Sequence, residues 1–206
     1  MKVTKYFQSC LLIEEGGTRI LIDPSGAEKE RVAEFRKLDA VLYTHEHGDH
    51  FDPDLAETFI SSGVPVDANV STSKQIKSDV NFVNDGLEFK VGDVSINAIE
   101  LPHCLMPNGQ PGPQNTGYLI NGKLFHPGDG KDLAGLQVDN VALPITGPDI
   151  SFYDAANFVK QLGAKNAIAI HYHTMGANTD TYQYFMKLFQ LPFDLKVLEV
   201  GGQIEL

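Results

Sequence analysis

The chain has 206 residues, of which 42% are hydrophobic and 21% charged, and its formal net charge is −11. That composition fits a globular protein, and the length fits one domain spanning 1–206 that buries roughly 70% of the surface of its unfolded chain. The acidic balance, with no basic run longer than Arg36-Lys37, excludes a general nucleic-acid binder, which needs clustered Lys and Arg against phosphates.

Residues 3–7, 10–14 and 19–22 read as three short strands, with Glu15-Gly16-Gly17-Thr18 turning between the second and third. Asp23-Pro24-Ser25-Gly26 then breaks the chain. Residues 28–38 carry the apolar stripe of a helix at Val32, Phe35 and Leu38. Residues 39–43 are an apolar run that reads as a buried strand, and it leads into Thr44-His45-Glu46-His47-Gly48-Asp49-His50. Asp52 can cap the next helix and Pro53 suits its first turn. The cluster therefore lies on a loop between a strand end and a helix start. A loop can turn His45, His47, Asp49 and His50 toward one point, and neutral imidazole and carboxylate are good ligands for zinc and similar divalent ions.

The helix is expected over 53–61, a short strand over 65–70, and a short helix through Ile76 capped by Ser71 or Thr72. Strands at 80–83, 87–91 and 94–101 follow, joined by turns at Asn84-Asp85-Gly86 and Gly92-Asp93 that predict antiparallel pairing. The run ends at Pro102-His103, another strand end. Residues 104–115 are rich in Pro and Gly, and with Leu105 and Met106 they are expected to form a substrate-facing rim. A hairpin of 116–121 and 123–126 around Asn121-Gly122 delivers Pro127-Gly128-Asp129-Gly130, with His126 read as structural. A buried strand at 140–144, a loop at 145–150 and a helix at 151–162 opened by a Ser151/Asp154 capping box come next. A strand at 166–170 runs into His171-Tyr172-His173, followed by a helix at 180–189 and a last strand at 196–200.

Thr44 to His50 resembles the T-H-x-H-x-D-H signature of the metallo-β-lactamase superfamily, and later landmarks follow in that family's order over nearly the whole chain. The resemblance implies an α+β fold, an αββα sandwich of two mixed sheets flanked by helices, with a dinuclear metal site along one edge. It implies His45, His47 and His103 on one metal, Asp49, His50 and His171 on the other, and Asp129 bridging them. Asp23 is implied near the site, either orienting a ligand histidine or as a turn aspartate. Gly130 departs from the usual Gly-Asp-Thr, which removes a hydroxyl and leaves Asp129 in place. If 171–173 is extended, His171 and His173 share a side. The family pattern puts the ligand at His171, leaving His173 to hydrogen-bond substrate or to serve as a plain polar residue. Cys104 beside His103 is not expected to ligate, because adjacent residues on an extended segment diverge.

Such a site, loaded with two divalent ions (zinc first, manganese or iron also suited), lowers the pKa of bound water from about 15.7 to about 7. Asp49 would orient the resulting hydroxide and take its proton later. The expected function is hydrolysis of a small-molecule ester, lactone or phosphoester, in an enzyme similar to the ascorbate-phosphate lactonase-like branch. The alternative is a non-catalytic metal-binding or ligand-sensing protein that retains the site. Cys10 and Cys104 are too few for a disulfide framework, and neither a signal-peptide core nor a membrane-length apolar run is present. A cytoplasmic setting without a membrane partner is expected, and nothing in the sequence sets the oligomeric state.

Overall fold

Consecutive apolar residues in the strands are buried on both faces of their sheets, and this sets the layering. Leu11, Ile13, Ile20, Ile22 and Leu42 turn to one side, while Leu12, Leu21, Val41 and Tyr43 turn to the other. A strand that is apolar throughout needs cover on both sides. The computed structural model describes residues 1–174 and 179–206. In it β1 (Lys2–Lys5), β2 (Leu11–Glu15), β3 (Thr18–Ile22), β4 (Ala40–Tyr43), β5 (Val66–Ala68) and β6 (Asn81–Phe82) lie side by side in that order. A second sheet runs β7 (Glu88–Val91), β8 (Val94–Glu100), β9 (Thr116–Ile120), β10 (Leu124–His126), β11 (Asn140–Pro144), β12 (Asn166–Ile170) and β13 (Asp194–Lys196). The chain then returns as β14 (Gln203–Glu205), antiparallel to β1 in the first sheet.

Each sheet is antiparallel on one side and parallel on the other, with the change at β3/β4 in the first and at β10/β11 in the second. Between them lies an inner core of Val3, Leu11, Ile20, Ile96, Tyr118 and Ile168, among others. Outside the first sheet, α1 (Pro53–Ser61) buries Leu55 and Phe59 against Leu12, Leu21 and Val41. The four-residue α2 (Val70–Ser73) follows β5. Outside the second sheet, α3 (Phe152–Gln161) buries Phe158 and Val159 against Val141, Leu143 and Ala169, and α4 (Thr179–Leu188) adds Tyr182 and Met186. This is the expected α+β sandwich of two mixed sheets flanked by helices. Among the described residues no helix is long and apolar enough to cross a membrane.

Several local expectations are corrected. Residues 28–38 do not form an α-helix. A 3-10 helix spans Gly26–Glu34 under a Ser25/Glu28 capping box, and Lys37 has φ +58°, so Phe35 and Leu38 reach the core from irregular chain. The short helix after β5 is capped by Asn69, whose side chain accepts from Thr72 N, and not by Ser71 or Thr72. The strand at 81–82 does not join an antiparallel run with β7. It pairs parallel to β5 in the other sheet, and the Asn84-Asp85-Gly86 turn is the crossover between sheets. The last strands are 194–196 and 203–205 and not 196–200, because Gly201, at φ +86°, turns the chain back to β1.

Asp67 alternates with Val66 and Ala68, which pack outward, and its carboxyl is only 5% exposed. Burial lifts its pKa to about 6, against a smaller lowering by the Asn81 side chain. The unfolded value is about 3.9, so folding favours the protonated acid. The stability it contributes is full below about pH 4 and is lost as pH rises through 6; two pKa units amount to about 3 kcal/mol. Metal-stripped Asp67→Asn is therefore expected to show a smaller stability gain from pH 8 to pH 5 than the wild type. Thermal melts at both pH values check this, and equal gains would show that Asp67 is not the titrating group.

Candidate metal centre

The strand ends that face one rim of the sandwich carry the chemistry. After β4 the loop curls because His50 N and Phe51 N both donate to His47 O at 2.9 Å. The Asp52 side chain and Pro53 then start α1. His103 follows β8 and forms an isolated antiparallel bridge with Gly130, which brings it beside Asp129. Gly128 has φ +60°, and a Cβ there would fall 2.8 Å from Thr44 Cβ, so only glycine lets this turn approach the β4 loop. Asn115 locks the turn by donating to Pro127 O at 2.9 Å and accepting from Asp129 N at 3.2 Å. His171 ends β12 at φ +59°, a left-handed turn, so the condition under which His171 and His173 would share a side, an extended 171–173, is not met.

The sequence-predicted residues meet as two groups, His45, His47, His103 and Asp129, and Asp49, His50 and His171, with ligand atoms within 4.8 Å of one another in each. Asp129 faces both. Its Oδ2 lies 3.4 Å from His103 Nε2, 3.9 Å from His45 Nε2 and 3.2 Å from His171 Nε2, and its Oδ1 lies 2.9 Å from His50 Nε2. Asp49 Oδ2 lies 3.2 Å from His171 Nε2. Cys104 belongs to neither group; burial pushes its thiol up to about 12.

The outer ring nitrogens explain why these histidines point inward. His103 Nδ1 donates to Cys104 O and His171 Nδ1 to Thr146 O, each at 2.6 Å. His50 Nδ1 donates to Asp23 Oδ2 at 2.8 Å. His45 Nδ1 lies 2.9 Å from Thr44 Oγ1, whose own proton goes to Asp23 Oδ2 at 2.8 Å. These acceptors assign the proton to Nδ1 and leave four Nε2 lone pairs converging. Two of the converging atoms, His45 Nε2 and Asp129 Oδ1, are buried and have no hydrogen-bond partner. The 2.9 Å approach of His50 Nε2 to that oxygen lacks hydrogen-bond geometry. Buried polar atoms are rarely left so, and a divalent cation would satisfy them. The donor set of imidazole nitrogens and carboxylates fits zinc, manganese or iron.

Without cations, protons take their place. Burial works against charge on His50 and His171, but Asp129 outweighs it, helped by Asp23 and Asp49 respectively. His50 is held well above the usual imidazole range, and His171 rises to about 9. Burial and the neighbouring imidazoles instead hold His45 well below that range. Cation loading therefore displaces protons, and affinity falls in acid.

Asp23, expected either to orient a histidine or to make a turn, lies against both Thr44 and His50. Its Oδ1 accepts from Thr44 N at 2.8 Å and its Oδ2 from Thr44 Oγ1 and His50 Nδ1. His173 has its ring against Phe7 and Tyr172 at 4.6 and 4.3 Å, and its Nδ1 accepts from Gln8 N at 3.0 Å; burial lowers its pKa to about 4. Gln8 was not singled out in the sequence, and nothing in its pattern marks it. It is buried at φ +51° and touches two residues of the second ligand group, Asp49 and His171. Its Nε2 donates to Asp49 Oδ2 at 2.9 Å, its Oε1 accepts from His173 N and Thr174 N, and its carbonyl accepts from His171 N at 3.1 Å.

Over the ligand groups opens a cavity of about 300 Å³ whose other walls are Met106, Pro107 and Pro148. Gly112 brings the rest of the 104–115 loop against the His103 ring, where a Cβ would lie 2.9 Å from His103 Cβ. A cavity of about 360 Å³ between α4 and β13, against Met186, Leu191 and Phe193, touches none of the candidate ligands.

Comparison with known proteins identifies the family and the fold. The family described as the beta-lactamase superfamily domain matches residues 2–171. A UPF0173 protein of Pyrococcus abyssi is 31% identical over 87% of each chain. A UPF0173 metal-dependent hydrolase of Listeria innocua is 29% identical over 100% of each. Igni18, a metallo hydrolase from the archaeon Ignicoccus hospitalis, superposes with a TM-score of 0.78 at 24% identity, over 100% of this chain and 98% of that one. The match across residues 2–171, together with the converging histidines, establishes that this chain belongs to the metallo-β-lactamase superfamily, among its metal-dependent hydrolases.

Proposed function

We propose that the chain holds two divalent ions, zinc first among them, and hydrolyses a small-molecule ester, lactone or phosphoester. The observation that carries this is the set of four imidazoles anchored at Nδ1 with Nε2 turned inward around a buried carboxylate that faces both groups. His45, His47, His103 and Asp129 would hold one ion, and Asp49, His50, His171 and Asp129 the other. Bound divalent cations supply a water of lowered pKa and positive charge for the oxygen that gains charge in the reaction.

The chain's own groups do the rest. Asp49 is partly exposed at the cavity floor, and its Oδ2 is fixed by Gln8 Nε2 and His171 Nε2. Burial opposes its charge, but His171 and His50 outweigh this and keep it ionised. An ionised carboxylate here accepts the proton of the attacking water and returns it to the leaving oxygen. Met106, Pro107 and Pro148 form an apolar wall opposite the ligand groups. Free, buried Cys10 and Cys104 suit a reducing cytoplasm.

Metal analysis of purified protein is expected to give about two ions per chain, with ester turnover lost on chelation and restored by zinc or manganese. Fewer than one ion per chain after loading would overturn the reading. Full loading without turnover of any ester, lactone or phosphodiester would leave the non-catalytic alternative.

A further inference from the structure

Apart from Gly48, what lines the 300 Å³ cavity is either a candidate ligand or one of the apolar residues Met106, Pro107 and Pro148. Resting on the hydrolase reading above, we infer that the substrate is a small acyl ester or lactone, electrically neutral and apolar away from the scissile bond, and not a phosphoester.

Charge argues first. Among the described residues no Lys or Arg lines the cavity, and residues 175–178 are Met, Gly, Ala and Asn. The cation nearest to Asp129 in sequence is committed elsewhere. Lys131 Nζ donates to Asp149 O at 2.5 Å and lies 2.9 Å from Asp149 Oδ2 and 3.9 Å from Asp154 Oδ1. Lys5 is buried, and its ammonium donates to Tyr6 O and Gln8 O. Asp149, paired with Lys131, follows Pro148, and its Oδ1 accepts from Leu105 N at 2.9 Å, joining the two sides of the rim. With a net charge of −11 on the chain, an anionic group reaching beyond the ligand set meets a repulsive field. Phosphate recognition draws on forked or point cations and on clustered backbone N–H groups, and this wall supplies no such cation.

An acyl ester needs none of these. It is neutral in the ground state, and the charge of its tetrahedral intermediate grows on the carbonyl oxygen, which faces the ligand side. Water adds to the carbonyl carbon, the bond to the alcohol oxygen breaks, and that oxygen leaves with the proton returned by Asp49. The acyl chain then lies on Met106, Pro107 and Pro148. Each methylene buried there raises kcat/KM about fourfold, the value of its transfer from water. The rise stops after a few carbons, because about 300 Å³ lies at the small end of ligand sites.

The metal-loaded protein tests this with p-nitrophenyl esters from acetate to hexanoate, with the hemisuccinate as a charged match for pentanoate, and with bis(p-nitrophenyl) phosphate. Expected are a climb of about fourfold per methylene to four or five carbons, a hemisuccinate kcat/KM at least ~30-fold below pentanoate, and a phosphodiester at least ~100-fold below. Met106→Lys is expected to shrink the pentanoate-to-hemisuccinate ratio to about fivefold or less, with metal content unchanged. Binding provides a second readout: pentanoate raises the wild-type Tm more than succinate does, and Met106→Lys reverses that order. A phosphodiester preferred over every acyl ester overturns this inference and leaves the hydrolase reading standing, as does a ratio unmoved by Met106→Lys. No turnover of any substrate at full metal loading overturns both.

Discussion

Asp129→Ala is expected to lose most bound metal and to lower kcat/KM by at least about 10³-fold, equivalent to about 4 kcal/mol of transition-state stabilisation. Asp129 is the one carboxylate that faces both histidine groups, with Oδ2 toward His45, His103 and His171 and Oδ1 toward His50. Removing it leaves the first group as three imidazoles with no carboxylate to balance a cation, and the second with Asp49 alone. The metal-free fold feels the loss as well. Asp129 is the largest influence lifting the pKa of His50 and His171 against burial, so in the variant both shed protons at lower pH. Asp129→Asn keeps the shape and removes only the charge, so it separates packing from electrostatics. Metal stoichiometry, kcat/KM and a thermal melt of each variant check the expectation. Wild-type stoichiometry in Asp129→Ala would sink the placement of this carboxylate between two ions.

The second large effect comes from a residue outside both ligand groups. Asp23→Ala is expected to weaken metal binding about 10- to 100-fold and to cost about 2–4 kcal/mol of stability. Three buried donors, Thr44 N, Thr44 Oγ1 and His50 Nδ1, depend on its two oxygens. Without the carboxylate His50 can rotate or carry its proton on the other nitrogen, and Thr44 no longer holds its hydroxyl in place for His45 Nδ1. Asp23 sits at φ +52°, which Asn tolerates, so Asp23→Asn retains the turn and is expected to recover most of the stability but only part of the affinity. Competition with a chromophoric chelator and urea unfolding of the metal-free protein measure the two losses separately. A stability loss with unaltered affinity would show that Asp23 supports only the turn.

How much of this was legible depends on how far apart in sequence the cooperating groups are. His45, His47, Asp49 and His50 lie on one short loop after an apolar strand, so their convergence could be read directly from residue type and spacing. Single residues such as His103, Asp129 and His171 carry only the weak signal of standing where strands end, and the family pattern was needed to assign them as ligands. The inward and outward burial of β2, β3 and β4 follows from their continuous apolar runs. The partner of β6 does not, because two exposed residues in a parallel edge strand have no periodic signature. Gln8 and Asn115 act through amide groups that bridge distant segments, and such bonds leave no trace in composition or period. His173 shows the opposite difficulty. The two-residue spacing from His171 implies a shared side, and the left-handed backbone at His171 cancels it.

The turns that carry candidate ligands leave β4, β8, β10 and β12 at one end of the sandwich, while the turns at 15–18, 92–93 and 121–122 close the other end and hold none. The molecule thus has a working end and an idle end, separated by the length of its strands. A peptide handle spliced at 121–122, or a tether to a solid support placed there, would leave the reacting groups undisturbed. Every molecule attached that way would present its mouth to the liquid.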